Sequence, residues 1–277
     1  MSYKTIIVHL DAGKFRRQRL DVALSLADRF DAHLIGLFGL EAIEPVPAPA
    51  AVWPQLMLEL HKHRRAAAES AAQEFRDATR KAQYTAKSEW RATLDDGLAA
   101  LRFHAKYADL IVAGQPGRDD QGVPASFAEQ LVLSIGRPVL YVPAIASITD
   151  CGRRVLVAWN ASREAARAVR DALPLLQTAQ VTEAVTFDPK KVFHGDDALP
   201  DPDLGAYLSR HGAKATVAAL PTGDIGVGSA ILSRAADNAS DLIVMGAYGH
   251  TRVKELVFGG ATRTLFESMT VPTLMSH

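Results

Sequence analysis

The sequence predicts an α/β protein made of two tandem doubly wound domains, each a five-stranded parallel sheet of order 3-2-1-4-5 with helices on both faces. Three observations carry that expectation. Short, nearly continuous apolar runs alternate with helix-like segments, as in strands buried on both faces of a parallel sheet. The pattern occurs twice: ADLIVAGQPG (Ala108–Gly117) matches SDLIVMGAYG (Ser240–Gly249) at an offset of 132 residues, and TIIVHLDAG (Thr5–Gly13) corresponds to RRVLVAWNAS (Arg153–Ser162). The length of 277 residues suits two units of about 100–150 residues. The expected units are 1–143 and 153–277, joined by a linker at Ala144–Gly152.

In the first copy, TIIVHLDAG reads as a strand ending in a polar turn before an amphipathic helix. EPVPAPAAVWP (Glu44–Pro54) is proline-rich and reads as an extended excursion, either a lid or interaction surface or simply a long loop. Leu56–Lys81 is alanine-rich and helical in composition. RPVLYVP (Arg137–Pro143) is a proline-led strand, matched later by TVPTLMS (Thr270–Ser276). In the second copy the expected strands are Arg154–Trp159, Val181–Phe187, Ala213–Leu220, Leu242–Met245 and Val271–Met275. The expected helices are Arg163–Leu176, Asp203–Arg210, Ser229–Asn238 and Gly260–Ser268.

Bulk chemistry excludes several classes. Basic and acidic residues balance at 31 each, so no overall basic field supports nucleic-acid binding. The single cysteine, Cys151, allows neither an intramolecular disulfide nor a thiolate metal cluster and fits a reducing cytoplasm. The N-terminus lacks the long apolar core of a signal peptide, and no uninterrupted apolar run is long enough to span a bilayer. The expectation is a cytoplasmic protein with neither a membrane nor a nucleic acid as partner.

The stretch DLIVMGAYGHTRVKELVFGGATRTLF (Asp241–Phe266) is the most informative. An apolar strand stops at Gly246, Gly249 follows, and Gly259 and Gly260 open a helix-like segment. Glycines let backbone approach a ligand closely. A helix N-terminus offers unpaired N–H groups and partial positive charge, so the combination can hold a phosphate. With strands ordered 3-2-1-4-5, a ligand would sit at the carboxyl ends of strands 1 and 4, where the order reverses.

Strand, then Gly246-x2-Gly249-x9-Gly259, in a doubled unit of this size, resembles the universal stress protein family in its tandem form. VAWNASREAARAVRDALPLL (Val157–Leu176) is similar to the family's first strand and helix. The resemblance implies ATP binding, with ADP, AMP and an accompanying magnesium ion compatible with it, and a stress-survival role without a defined catalytic reaction. It implies phosphate contacts from Gly246, Gly249, Gly259, Gly260 and Ala261, and base and ribose contacts near Ala158, Asn160, Thr186 and Met245. Two positions depart from the family pattern. Gly260 stands where a Ser or Thr hydroxyl is usual, with Thr262 two residues on. Asn160 stands where strand 1 usually ends in Asp. The first copy departs further: Phe127 occupies the position matching Gly259, and Pro116 and Pro124 interrupt its loop. It reads as a degenerate copy, with the two halves forming an intramolecular pseudo-dimer; a homodimer is compatible with this.

Other motifs carry less. Gly223-Asp-Ile-Gly226-Val-Gly228 follows a third strand rather than a first, so it reads as a turn with Ser229 capping a helix. His61 and His63, two apart on a helix, point apart and do not share a metal. His250, Arg252 and Lys254 fall in the proposed phosphate loop. No Gly-x-Ser-x-Gly context, catalytic base or metal cage is evident, so any ATPase activity is expected to be slow. The rival reading is an interaction or scaffold protein with an unoccupied nucleotide site.

Overall fold

The computed structural model describes residues 2–39, 52–93, 96–117, 125–144, 147–189, 202–249 and 260–277. The first half carries β1 (Thr5–Leu10), α1 (Arg16–Phe30), β2 (His33–Phe38), α2 (Trp53–Lys81), β3 (Ser88–Ala92), α3 (Gly97–His104), β4 (Leu110–Gly114), α4 (Ala125–Ser134) and β5 (Val139–Val142). The second carries β6 (Arg154–Trp159), α5 (Arg163–Asp171), α6 (Leu173–Thr178), β7 (Val181–Phe187), α7 (Pro202–Arg210), β8 (Thr216–Leu220), α8 (Gly226–Asp237), β9 (Leu242–Gly246), α9 (Gly260–Ser268) and β10 (Thr273–Ser276).

All ten strands lie in one sheet, ordered β3-β2-β1-β4-β5-β10-β9-β6-β7-β8. Each half therefore has the order 3-2-1-4-5 expected from its alternation, and every pairing within a half is parallel. The halves meet through β5 and β10, which pair antiparallel with Tyr141 opposite Thr273 and Val139 opposite Met275. The fifth strand of each unit is thus an edge that the other unit covers, which removes two exposed ladders at once.

The repeat extends to side chains. Asp109 accepts from the backbone N–H of Lys4 and Thr5 at 2.7 and 3.0 Å, and Asp241 accepts from Gly152 and Arg154 at 2.9 Å. Each aspartate ties the start of strand 1 to the start of strand 4. Helices α1, α2, α5, α6 and α7 cover one face of the sheet; α3, α4, α8 and α9 cover the other. Each layer runs across the β5–β10 joint: Tyr141 meets Phe266 edge-on at 4.9 Å. The link between the halves is anchored on α1, where Asp150 accepts from Ser25 at 2.7 Å and pairs with Arg29, which also donates to the Cys151 carbonyl.

Three expectations change. The helix Arg163–Leu176 is two helices, broken at Ala172. Pro174 has no N–H to continue the ladder and its ring crowds the carbonyl four residues back. Ser229 is not a cap: α8 begins at Gly226, with Ile225 at the cap position. The glycine at 228 instead permits close approach, since a Cβ there would lie 2.6 Å from Thr264 Cβ on α9. Finally, Trp53 and Pro54, expected at the end of an excursion, form the first turn of α2, where proline's missing N–H costs nothing; residues 44–51 of that excursion lie outside the described residues.

Candidate functional site

In the second half the strand order reverses between β6 and β9. The helix after β6 and the helix after β9 cover opposite faces, the arrangement that in open α/β sheets places a crevice at the carboxyl ends of two such strands. Ala158 and Met245 are register partners there, half-buried and buried respectively. Asn160 follows β6 and is exposed; its Oδ1 accepts from the Ser162 N–H at 3.2 Å. This turn commits the oxygen and leaves the amide N–H groups as donors. Ala161 takes the left-handed conformation at φ 55°, and Ser162 caps α5 by accepting from Ala165 N–H at 3.1 Å.

Thr186 lies near the end of β7, beside the Ala158–Met245 pair. It pairs with Trp159, and alternation along β7 puts its side chain on the Ala184 face, opposite Val185, Phe187 and Met245. Only its backbone borders the Ala158–Met245 side of the crevice.

The glycines are not equivalent. A Cβ at Gly246 would lie 2.5 Å from Ala165 N and 2.6 Å from the Glu164 carbonyl carbon, so this glycine admits the first turn of α5. At Gly249 a Cβ would be 3.2 Å from Ser162 Oγ and 3.3 Å from Glu164 Oε2. Gly260 is the exposed first residue of α9, and among the described residues nothing lies within 4 Å of where its Cβ would be. Ala261 beside it is half-buried. Thr262 does not replace the missing hydroxyl: it is buried, and its Oγ1 accepts from the Tyr248 N–H at 3.4 Å. That bond holds the loop after β9 against the first turn of α9. Gly259, His250, Arg252 and Lys254 lie outside the described residues.

One group was missed in the sequence. Glu164 is buried beside this loop, where burial alone would raise its pKa; Arg163, paired with it, and the Ser162 hydroxyl hold it below the ordinary carboxylate value. The carboxyl is therefore ionised near neutral pH, next to Gly249. No helix-spacing pattern marks it, because its position depends on how closely Gly246 lets α5 approach.

The equivalent place in the first half is filled by side chains. Asp11 makes the same turn as Asn160, accepting from Gly13 N–H at 2.8 Å. Arg19 pairs with Asp11 at 2.5 Å, both side chains about 5% exposed or less, and its guanidinium lies where a Cβ on Gly114 would fall. Phe127, buried in the first turn of α4, stacks on His9 at 5.1 Å. His9 stands at the strand position that Ala158 holds in the other half. Burial lowers the His9 pKa, and Arg19 adds to this against the opposing pull of Asp11.

The model of the universal stress protein family matches residues 152–277. The second half of the chain belongs to this family. A universal stress protein from Synechocystis sp. is 28% identical over 180 residues, covering 60% of this chain and 57% of the relative's length. The fold extends to the first half. A universal stress protein structure from Archaeoglobus fulgidus superposes with a TM-score of 0.69 at 17% identity, covering 98% of this chain and 97% of that one. A functionally unknown protein from Pseudomonas aeruginosa PAO1 gives 0.55 at 14% identity, covering 99% and 92%. These two show the shared architecture. Within the universal stress protein domain, the crevice between β6 and β9 joins bare backbone at Gly260, the donors of Asn160 and the apolar pair Ala158 and Met245. Among the described residues no helix is long and apolar enough to cross a membrane, and no cluster of His, Cys, Asp and Glu could hold a metal.

Proposed function

We propose that the chain is a cytoplasmic stress-response protein whose second half binds one adenine nucleotide, ATP first among them, without strong catalysis. The observation that carries this is the start of α9. Gly260 opens a nine-residue helix with no described residue within 4 Å of a Cβ there, and the Tyr248–Thr262 bond fixes that helix end to the loop after β9. Gly246, Gly249, Gly259, Gly260 and Ala261 would face the phosphates, with Asn160 toward the ribose and Ala158 and Met245 against the base. Residues 1–143 act as the structural half of an intramolecular pair with 153–277, since His9, Phe127 and Arg19 take up the matching space. The ionised Glu164 opposes bare phosphates and favours a nucleotide that arrives with magnesium. The described residues supply no aligned base or nucleophile, so hydrolysis is slow.

Calorimetric titration of the full chain with ATP tests this. One site per chain is expected. Gly260→Ser restores a hydroxyl in open space, and affinity should rise about tenfold, the worth of one hydrogen bond to a charged group. Absence of heat with millimolar ATP, ADP or AMP, in both the parent and Gly260→Ser, would hand the assignment to the interaction-protein reading. A stoichiometry near two would refute the filled first half.

Glu164→Gln removes a negative charge near the phosphate loop. Without magnesium, ATP affinity should rise about fivefold, since unit charges 4 Å apart interact by about 1 kcal/mol in water-like surroundings. With magnesium the gain should shrink or reverse. An equal gain in both conditions would show that Glu164 acts through folding of the loop rather than through charge.

A further inference from the structure

On the face of the sheet opposite Ala158 and Met245, α5 and α7 stand apart beside the end of β6. They flank a half-open groove of about 690 Å³, a volume typical of small-molecule sites. Trp159, Val169, Leu204 and Tyr207 give it an aromatic and apolar lining. Its charges are unevenly committed. Arg167 and Asp171 lie 3.6 Å apart; Arg167 also donates to the Gly136 carbonyl at 2.7 Å, and Asp171 accepts from Ser276 at 2.8 Å. Asp203, at the start of α7, has an interaction of its own. Arg170 lines the same space; its charge acts on Asp171, but it makes no ion pair or hydrogen bond among the described residues. Next to Trp159 in the sheet, and on the same face, Thr186 is buried with a hydroxyl that has no hydrogen-bond partner among the described residues.

The first half shows that the fold does not require this space. There the helices after strands 1 and 2 lock together: Arg16 binds Glu74 at 2.6 Å and Ser70 at 2.7 Å. Phe75 of α2 packs down onto the sheet, with its ring 2.6 Å from where a Cβ on Gly36 would sit. Between α5 and α7 the corresponding room is kept and lined with two aromatic rings and a guanidinium that makes no hydrogen bond among the described residues.

We propose that the α5–α7 groove is a second small-molecule site, for a planar aromatic compound carrying one carboxylate or similar anion. Trp159 and Tyr207 flank the ring, where stacking and apolar burial act together. Arg170 supplies a planar donor fork matched to a carboxylate. The site lies across the sheet from the nucleotide crevice, so it stands or falls independently of it.

The test uses 2-naphthoate with the full chain, followed by calorimetry and tryptophan fluorescence. Saturable one-to-one binding is expected, with an affinity unchanged by saturating ATP. Arg170→Gln should weaken it about tenfold, as should replacing the probe with neutral 2-naphthalenemethanol. Ala166→Trp, at an exposed helix position on the groove's wall, should abolish binding while urea unfolding shows the parent's stability. No saturation at millimolar 2-naphthoate, competition by ATP, or binding unaffected by Ala166→Trp would each overturn the proposal.

Discussion

Arg19→Met should destabilise the chain by about 3–5 kcal/mol, the usual cost of stripping one partner from a buried ion pair. Arg19 and Asp11 are both nearly inaccessible to solvent. Among the described residues, Asp11 has other support only from the Gly13 N–H and the nearby His9. Burial alone would raise the Asp11 pKa, but Arg19, through its charge and hydrogen bond, holds it below the ordinary value. Without Arg19 the carboxyl must take a proton or pull water into the core. Urea unfolding at neutral pH measures the loss. The double variant Arg19→Met with Asp11→Asn should recover much of it, because no buried charge is then left alone. A single variant within about 1 kcal/mol of the parent, below the range for a broken buried pair, would show that the pair is already compensated by solvent.

The pH dependence has a definite sign. A carboxyl whose folded pKa lies below its unfolded value contributes stability above the unfolded pKa and loses it as pH falls through the folded one. The Asp11 contribution should be complete above about pH 4, the unfolded aspartate value, and decline below it. The parent and the double variant should therefore converge in stability as the medium is acidified past that point.

Much of the fold was legible because strands buried on both faces leave continuous apolar runs, and because ADLIV and SDLIV repeat at a fixed offset. The alternation gave the strand order of each half. The joint was not legible: nothing in YVPA or TLMS says that β5 and β10 pair antiparallel, since this depends on two edges left uncovered by their own units. Close approaches were also hidden. Glycine at 246 was visible, but not that the first turn of α5 lies against it. Ala158 and Met245 are neighbours by strand register, whereas alternation along β7 turns the Thr186 side chain to the other face and leaves its backbone beside them. The missing hydroxyl at Gly260 was visible; the inward turn of Thr262 toward Tyr248 was not, since a helix residue's direction depends on the loop that packs over it. Phe127 was recognised as a misfit for phosphate, but its stacking on His9 required residues from distant elements to meet.

Gly246→Val should be the most damaging change in the second half, and its effect separates two roles for this glycine. A Cβ would meet the backbone of Glu164 and Ala165 at 2.5–2.6 Å, and backbone cannot swing aside as a flexible side chain can. The first turn of α5 must move, costing about 3 kcal/mol and lowering the melting point by roughly 6–12 °C at the 2–4 °C per kcal/mol of a chain near this size. Moving that turn also displaces Ser162 and the Asn160 turn, which form one wall of the crevice. ATP at a hundredfold excess over its dissociation constant stabilises a folded binder by about 2.7 kcal/mol, a shift of roughly 5–11 °C. This shift should be largely lost in Gly246→Val. Gly260→Ala is the matched control: its methyl enters open space, and alanine favours the helix over glycine, so stability should hold or rise and the ATP shift should survive. If Gly246→Val melts lower yet keeps the full ATP shift, the contact between β9 and α5 supports the fold alone, and the nucleotide must be held by residues nearer α9.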